Sequence, residues 1–257
     1  MTRCRRRPRS LSFSGFWMLA LGLVAGCTHN LDLIEGPDSV ALTTTGTWAS
    51  MIYLARTDSG VIAIDLGWTG AEEKIREGLA RLGATPADVR YVFLTHGHRD
   101  HTGGWRVVKH ARFVLGAAEV PYFTGDSAYH ASLPRLGDEL VESPNPKPGE
   151  VSLRPLGGDS TIVLGRDTVV ALAIPGHTAG STAYLFRGVL FGGDAINWRP
   201  FEGFHGARPE FSDNVEESRV SMRALWARVA PERVRAVCSA HAKCAVADSA
   251  IRRATID

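Results

Sequence analysis

The stretch THGHRDHTGG, residues 95–104, sets His96, His98, Asp100 and His101 within six consecutive positions. Each can ligate a metal ion: a neutral imidazole offers a nitrogen lone pair and an ionised carboxylate offers oxygen. On a helix, positions 96, 98, 100 and 101 point at roughly 0°, 200°, 40° and 140°, so they scatter. On a strand, 96, 98 and 100 share one face and 101 points away. A tight loop at a strand end can instead give two groups to one ion and two to a neighbour. A two-metal site, with ions about 3.5–4 Å apart, requires that arrangement. Two ions need more donors than one loop holds. His177 in AIPGHTAGS, Asp194 in LFGGDAINW and His241 in VCSAHAKC each follow an apolar run and stand among small residues. Small neighbours let the backbone bend toward an ion. Five His and two Asp form an N/O donor set suited to zinc, with iron or manganese as substitutes.

The hydrophobic pattern predicts the elements that position these donors. SVALTT, SMIYLAR and GVIAIDLG read as short strands, with turns at Gly46 and at Asp58-Ser59-Gly60. AEEKIREGLARLG is amphipathic, with Ile75, Leu79 and Leu82 on one helical face and Gly83 as its stop. VRYVFLT is a buried-type strand that delivers the chain into His96. GGWRVVKHA and AAEVPYF read as short helices on either side of the strand ARFVLGA. Residues 124–149 carry Gly125, Pro134, Gly137, Pro144, Pro146, Pro148 and Gly149, which predicts a long loop acting as a lid or binding segment. VSLRPL, TIVLG, TVVALAIP, STAYLF and VLFGG return to strands. DNVEESRVSMRALWARV begins with an Asn214…Glu217 capping pattern and reads as a helix. VRAVCSAH is a last strand and SAIRRAT a last helix. Strands interleaved with helices in two similar halves imply an α/β layered fold with the sheets in the middle.

The run His96-Gly97-His98-Arg99-Asp100-His101, followed in order by His177, Asp194 and His241, resembles the H-x-H-x-D-H signature and later ligands of the metallo-β-lactamase superfamily. VIAIDLG resembles the early strand of that family ending in a structural Asp, here Asp65. The resemblance covers roughly residues 38–250. It implies a single-domain αββα sandwich with the site at one edge of the two sheets. It implies that His96, His98 and His177 hold a first Zn²⁺ and that Asp100, His101 and His241 hold a second, with Asp194 bridging. A metal-bridging hydroxide would be the nucleophile, and Asp100 would steer its proton. Asp65 would support the His96 loop from outside the ligand set.

The N-terminus is of another kind. MTRCRRRPRS is basic, LSFSGFWMLALGLVA is apolar, and the whole has the form of a secretory signal. The ending VAGC, Val24–Cys27, resembles the lipobox of bacterial lipoproteins. Residues 1–26 are therefore expected to be a signal peptide, with Cys27 lipidated. Residues 27–38 would be a tether and 39–257 the hydrolase domain. That places the protein in the bacterial cell envelope, membrane-anchored and facing the periplasm or the outside. The 257 residues, 44% hydrophobic, suit one α/β domain. Removing the five Arg of the signal from 29 basic residues leaves 24 against 27 acids, a net charge near −3 rather than +2. The basicity belongs to the targeting peptide, so it does not argue for nucleic-acid binding. Cys238 and Cys244 flank His241 and can pair in an oxidising compartment or remain free thiols.

The expected activity is hydrolysis of a small ester, lactone or amide. Departures from subfamily patterns narrow it. Glyoxalase II appends a helical domain after its last His, whereas sixteen residues follow His241 here. Many metallo-β-lactamases place Cys or Ser where this chain has Asp194. Acyl-homoserine lactonases keep the bridging Asp but commonly have Tyr three residues later, where Asn197 stands. The alternatives are a β-lactamase-like hydrolase, a mononuclear iron oxidoreductase of the same fold, and a non-catalytic binding lipoprotein. Residues 46–50, 66–70, 121–149 and 196–212 would shape the pocket for a small-molecule substrate. Trp48, Trp68, Trp198 and Phe201 would be either core or an apolar pocket wall.

Overall fold

Strand β2 (Met51–Thr57) buries both of its faces, so its alternate residues enter two different cores. Tyr53 and Ala55 face a second sheet, while Ile52 and Leu54 face helix α1 (Glu72–Arg81). A strand buried on both sides reads as a nearly continuous apolar run, as MIYLA does. The computed structural model describes residues 42–46, 50–130, 145–199, 201–242 and 244–256. The signal, Cys27, the tether, Trp48 and most of the Pro-rich segment lie outside the described residues.

The first sheet has the order β1 (Leu42–Gly46), β2, β3 (Gly60–Ile64), β4 (Val89–Phe93), β5 (Arg112–Gly116), β6 (Ser152–Leu156). The second has the order β14 (Cys244–Val246), β13 (Ala236–Cys238), β10 (Val189–Phe191), β9 (Thr182–Phe186), β8 (Asp167–Ala173), β7 (Ser160–Leu164). Between them lies a core that includes Ile62, Ile64, Phe93, Tyr184, Phe186 and Phe191. Ile75 and Leu79 of α1 cover the outer face of the first sheet. Met222 and Leu225 of α4 (Val215–Arg228) cover the outer face of the second. The layers are therefore αββα.

Strand direction decides where the donors emerge. β3, β4, β5 and β6 are parallel, so Asp65 and His96 leave the first sheet at the same end. β8 and β10 are both antiparallel to β9, and β13 is parallel to β10. His177, Asp194 and His241 therefore leave the second sheet at one end too. The carboxyl ends of strands in such sheets are where ligands bind. Hydrogen bonds to backbone carbonyls close the two sheets over that edge. Thr182 donates its N–H to the Thr95 carbonyl at 2.8 Å, and the Tyr184 hydroxyl donates to the Leu94 carbonyl at 2.9 Å. Gly116 passes so close to the Gly180 carbonyl that no Cβ would fit.

The predicted strands and the helices over 72–81 and 215–228 are present, and the Asn214 side chain caps the latter by accepting from the Glu217 N–H. Three features differ from expectation. Residues 99–102 form a single helical turn, α2 (Arg99–Thr102), rather than an open loop. Residues 105–108 form a 3₁₀ turn. A hairpin of β11 (Asn197–Arg199) and β12 (Gly203–His205) follows Asp194, with Phe201 fully exposed at its tip rather than in core or wall. Helices α3 (Val120–Thr124) and α5 (Ser249–Ala254) complete the described elements.

Candidate metal centre

His96 and His98 sit on the bend between β4 and α2, and His177 sits on the turn after β8. Their ring nitrogens form a triangle. His96 Nε2 is 3.0 Å from His98 Nδ1, and His177 Nε2 is 3.1 and 3.2 Å from the same two atoms. Three nitrogens so spaced share a point ~2 Å from each, which is the Zn–N bond length. Hydrogen bonds fix which nitrogen carries the proton. Ser212 Oγ donates to the Arg208 carbonyl, so it accepts from His177 Nδ1 at 3.0 Å and leaves Nε2 as a lone pair. Thr95 Oγ1 donates to Asp65, so it accepts from His96 Nδ1 at 3.2 Å with the same effect. Burial, helped by neighbouring imidazoles, holds His96 well below the usual imidazole range. It lowers His98 to about 3 and His177 to about 4. All three are neutral donors at pH 7.

The second group is built differently. Asp100 and His101 lie on α2, and His241 lies on the short loop between β13 and β14. Asp194 stands between the two groups. Its Oδ2 is 3.6 Å from His177 Nε2, and its Oδ1 is 2.8 Å from His241 Nε2 and 3.4 Å from His101 Nε2. Asp100 Oδ2 is 3.5 Å from His101 and 3.7 Å from His241. His101 Nε2 is buried and makes no well-formed hydrogen bond, although its Nδ1 donates to Asp65 at 2.8 Å. A buried nitrogen left this way is costly unless something else binds it. Burial alone would lower His241, but Asp194 and Asp100 outweigh it and raise it to about 9. His101 is likewise raised against burial by Asp100, Asp65 and Asp194. Burial pushes Asp194 up, but His241 and His101 take it well below the usual carboxylate range. Asp100, His101 and His241 thus form a second group of side chains that could hold a cation.

Asp65 reaches the site from the end of β3 at a left-handed φ of 54°, which Asp tolerates better than most residues. One oxygen accepts from the Thr95 N–H and the other from the Thr95 hydroxyl and His101, each at 2.8 Å. At the other end of the same region, the Ser50 hydroxyl donates to the Asp100 carbonyl, and the Met51 N–H donates to the Ala240 carbonyl at 2.6 Å. Cys238 and Cys244 are disulfide-bonded across the β13–β14 pair, closing the loop that carries His241.

Several contributors were not foreseen from the sequence. Glu119 is fully buried and touches the loops on both sides of the triangle. Its sequence signal is a lone acid in the apolar run from Phe113 to Phe123. Tyr129 packs edge-on against His98 at 4.7 Å and donates its hydroxyl to the Gly97 carbonyl. Asn197 donates its side-chain N–H to the Asp194 carbonyl at 2.6 Å. Of the histidines outside the cluster, His110 and His130 are exposed and His205 lies on β12. His29 lies outside the described residues.

The sequence model of the metallo-β-lactamase superfamily matches residues 45–236. The chain belongs to the metallo-β-lactamase superfamily. Its match to a metallo-β-lactamase domain-containing protein of Xenopus laevis is 25% identical over 205 residues, covering 75% of this chain and 65% of that protein. Its match to a hydroxyacylglutathione hydrolase of Halorhodospira halophila is 30% identical over 195 residues, covering 74% and 60%. The chain thus spans less than two thirds of these relatives. Among solved structures, a subclass B3 metallo-β-lactamase of Bradyrhizobium japonicum superposes with a TM-score of 0.57 at 25% identity, covering 78% and 74% of the two chains. An archaeal metallo-β-lactamase superfamily protein from Sulfolobus tokodaii gives 0.61 at 16% identity, covering 84% of each. This superfamily member therefore shares its αββα fold with a metallo-β-lactamase and with an archaeal protein of the same superfamily.

Proposed function

We propose that this protein is a dinuclear zinc-dependent hydrolase acting on a small ester, lactone, thioester or amide. The observation that carries the reading is the convergence of three neutral imidazole nitrogens, 3.0–3.2 Å apart, on Asp194, whose second oxygen meets His101 and His241. His96, His98 and His177 would hold one ion, Asp100, His101 and His241 the other, and Asp194 both. The orphaned Nε2 of His101 supports the second site. When bound, such ions lower the pKa of a water and polarise a carbonyl. The chain's own groups do the rest. Burial raises Asp100, but His101 and His241 outweigh it, so its carboxylate stays ionised and can take a proton at Oδ2. Asp65 and Ser212 keep His101 and His177 in the donor tautomer through turnover.

Metal analysis of the purified protein with a hydrolysis panel tests this. Two zinc per chain are expected, with chelator-sensitive turnover of lactones, thioesters or β-lactams. The thioester arm follows from the hydroxyacylglutathione hydrolase relative. One iron with oxygen uptake would favour the oxidoreductase alternative, and turnover confined to phosphodiesters would end the carbonyl-centred reading. We also propose that Cys27 carries a lipid that anchors the mature protein to the cell envelope. Incorporation of labelled fatty acid, lost in Cys27→Ala, is the expected result.

A further inference from the structure

Glu119 has no place in the ligand set, yet its side chain is fully buried, and a carboxylate is rarely buried without strong partners. It sits in the 3₁₀ turn Ala117–Glu119 that follows β5, between the two sheets at the edge where the donors emerge. Its Oε2 accepts the Gly97 N–H at 2.7 Å, and its Oε1 accepts the Gly180 N–H at 2.6 Å. The Thr178 hydroxyl is a third donor to it. Gly97 stands between His96 and His98, and Thr178 and Gly180 follow His177. One carboxylate therefore spans the two chain segments that supply all three triangle nitrogens.

The fit is close on both sides. A Cβ at Gly97 would lie 3.1 Å from Glu119 Oε2 and 2.9 Å from the Tyr122 Cβ. A Cβ at Gly180 would lie 2.8 Å from the Glu119 Cγ. Glycine at these two positions lets backbone amides approach the carboxylate directly. Thr95 and Ser212 each accept from one ring of the triangle, whereas Glu119 accepts backbone amides from both segments.

We propose that Glu119 is the positioning residue of the three-histidine site, its carboxylate locking the Gly97 and Gly180 amides so that His96, His98 and His177 are held at metal-binding spacing before an ion arrives. The inference rests on the metal-centre reading above. It predicts that Glu119 governs affinity at the three-histidine site and leaves the Asp100–His101–His241 site alone.

Cobalt(II) titration of the metal-free full chain, followed by its visible absorption, tests this in two backgrounds. His241→Ala leaves the three-histidine site, and His177→Ala leaves the other. Adding Glu119→Gln is expected to weaken cobalt binding by about 10–100-fold in the His241→Ala background, the scale of outer-sphere ligand support. It is expected to change nothing in the His177→Ala background. Gln keeps the shape but turns an amide donor toward a backbone N–H. If that variant does not fold, Glu119→Asp carries the same measurement, because it keeps the charge but is one methylene too short to reach both amides. Equal affinity with and without the substitution, or an equal loss in both backgrounds, overturns the proposal alone. Failure of the unmodified protein to bind cobalt overturns the metal-centre reading and this proposal with it.

Discussion

Asp65 accepts three hydrogen bonds at 2.8 Å, and its removal should show how much of the second site is held from outside. Asp65→Asn keeps a residue type that tolerates the left-handed φ of 54°, so the fold should survive. Its amide NH₂ must face a donor, either the Thr95 N–H or the pair formed by the Thr95 hydroxyl and His101. Zinc calorimetry should therefore show one of two binding events weakened by about 10–100-fold. Two unchanged events would mean that His101 is oriented by something other than Asp65. That these His and Asp side chains would cluster was legible because their chemistry resides in residue type and their strand-end position in the preceding apolar runs. Asp65 was legible through the resemblance of VIAIDLG to the family's early strand. Glu119 and Ser212 were not. Ser212 meets His177 only because the chain ahead of α4 folds back over the turn after β8, 35 residues away. Glu119 looks like one polar break in a short helix until the second sheet is packed against it.

Strands buried on both faces, such as β2 and β9, announce themselves as apolar runs, whereas α1 was readable from its apolar face and α4 from its Asn214 cap. β11, β12 and β14 lack the fully buried apolar run that made the equally short β10 and β13 readable, and they exist through pairing rather than propensity. Helix α2 escaped notice because four residues cannot show helical periodicity, and His98 only begins it in an extended conformation. The β13–β14 pair has a functional consequence. β14 is the edge strand of its sheet, and the His241 loop hangs between it and β13, tied by the disulfide. Closing so small a ring limits the unfolded chain by about 2 kcal/mol. In the folded protein it also confines His241, whose side chain is 30% exposed and less packed than the other ring ligands. Cys238→Ala/Cys244→Ala should lower the melting temperature and weaken the zinc event assigned to His241, while the three-histidine event stays unchanged. Calorimetry of that double variant checks both effects. A loss of stability with both zinc affinities intact would make the disulfide purely a fold clamp.

The five clustered histidines divide into two classes with opposite pH behaviour, and the whole molecule should report it. His96, His98 and His177 have depressed values, the latter two about 3 and about 4. In the unfolded chain they protonate near 6.5. As pH falls below 6.5 the unfolded state binds protons that the folded state refuses, so metal-free stability should drop on the acid side. Asp194, held low, adds to that loss as pH falls through the carboxylate range. His241 is raised to about 9 and His101 is raised too. Their contribution is fully present below 6.5 and is lost as pH rises through the folded-state value. The metal-free protein should thus be most stable near pH 6.5 and weaken toward pH 9. Zinc should reverse the alkaline limb, because an ion at the second site must displace the protons on His101 and His241, and its affinity grows as those protons leave. The stabilisation conferred by zinc should therefore widen steadily between pH 6.5 and 9. Melting temperatures in chelator and in equimolar-excess zinc across that range measure the gap. A gap independent of pH, or a metal-free melting temperature still rising at pH 8, would mean that His101 and His241 are not holding protons in place of the second ion.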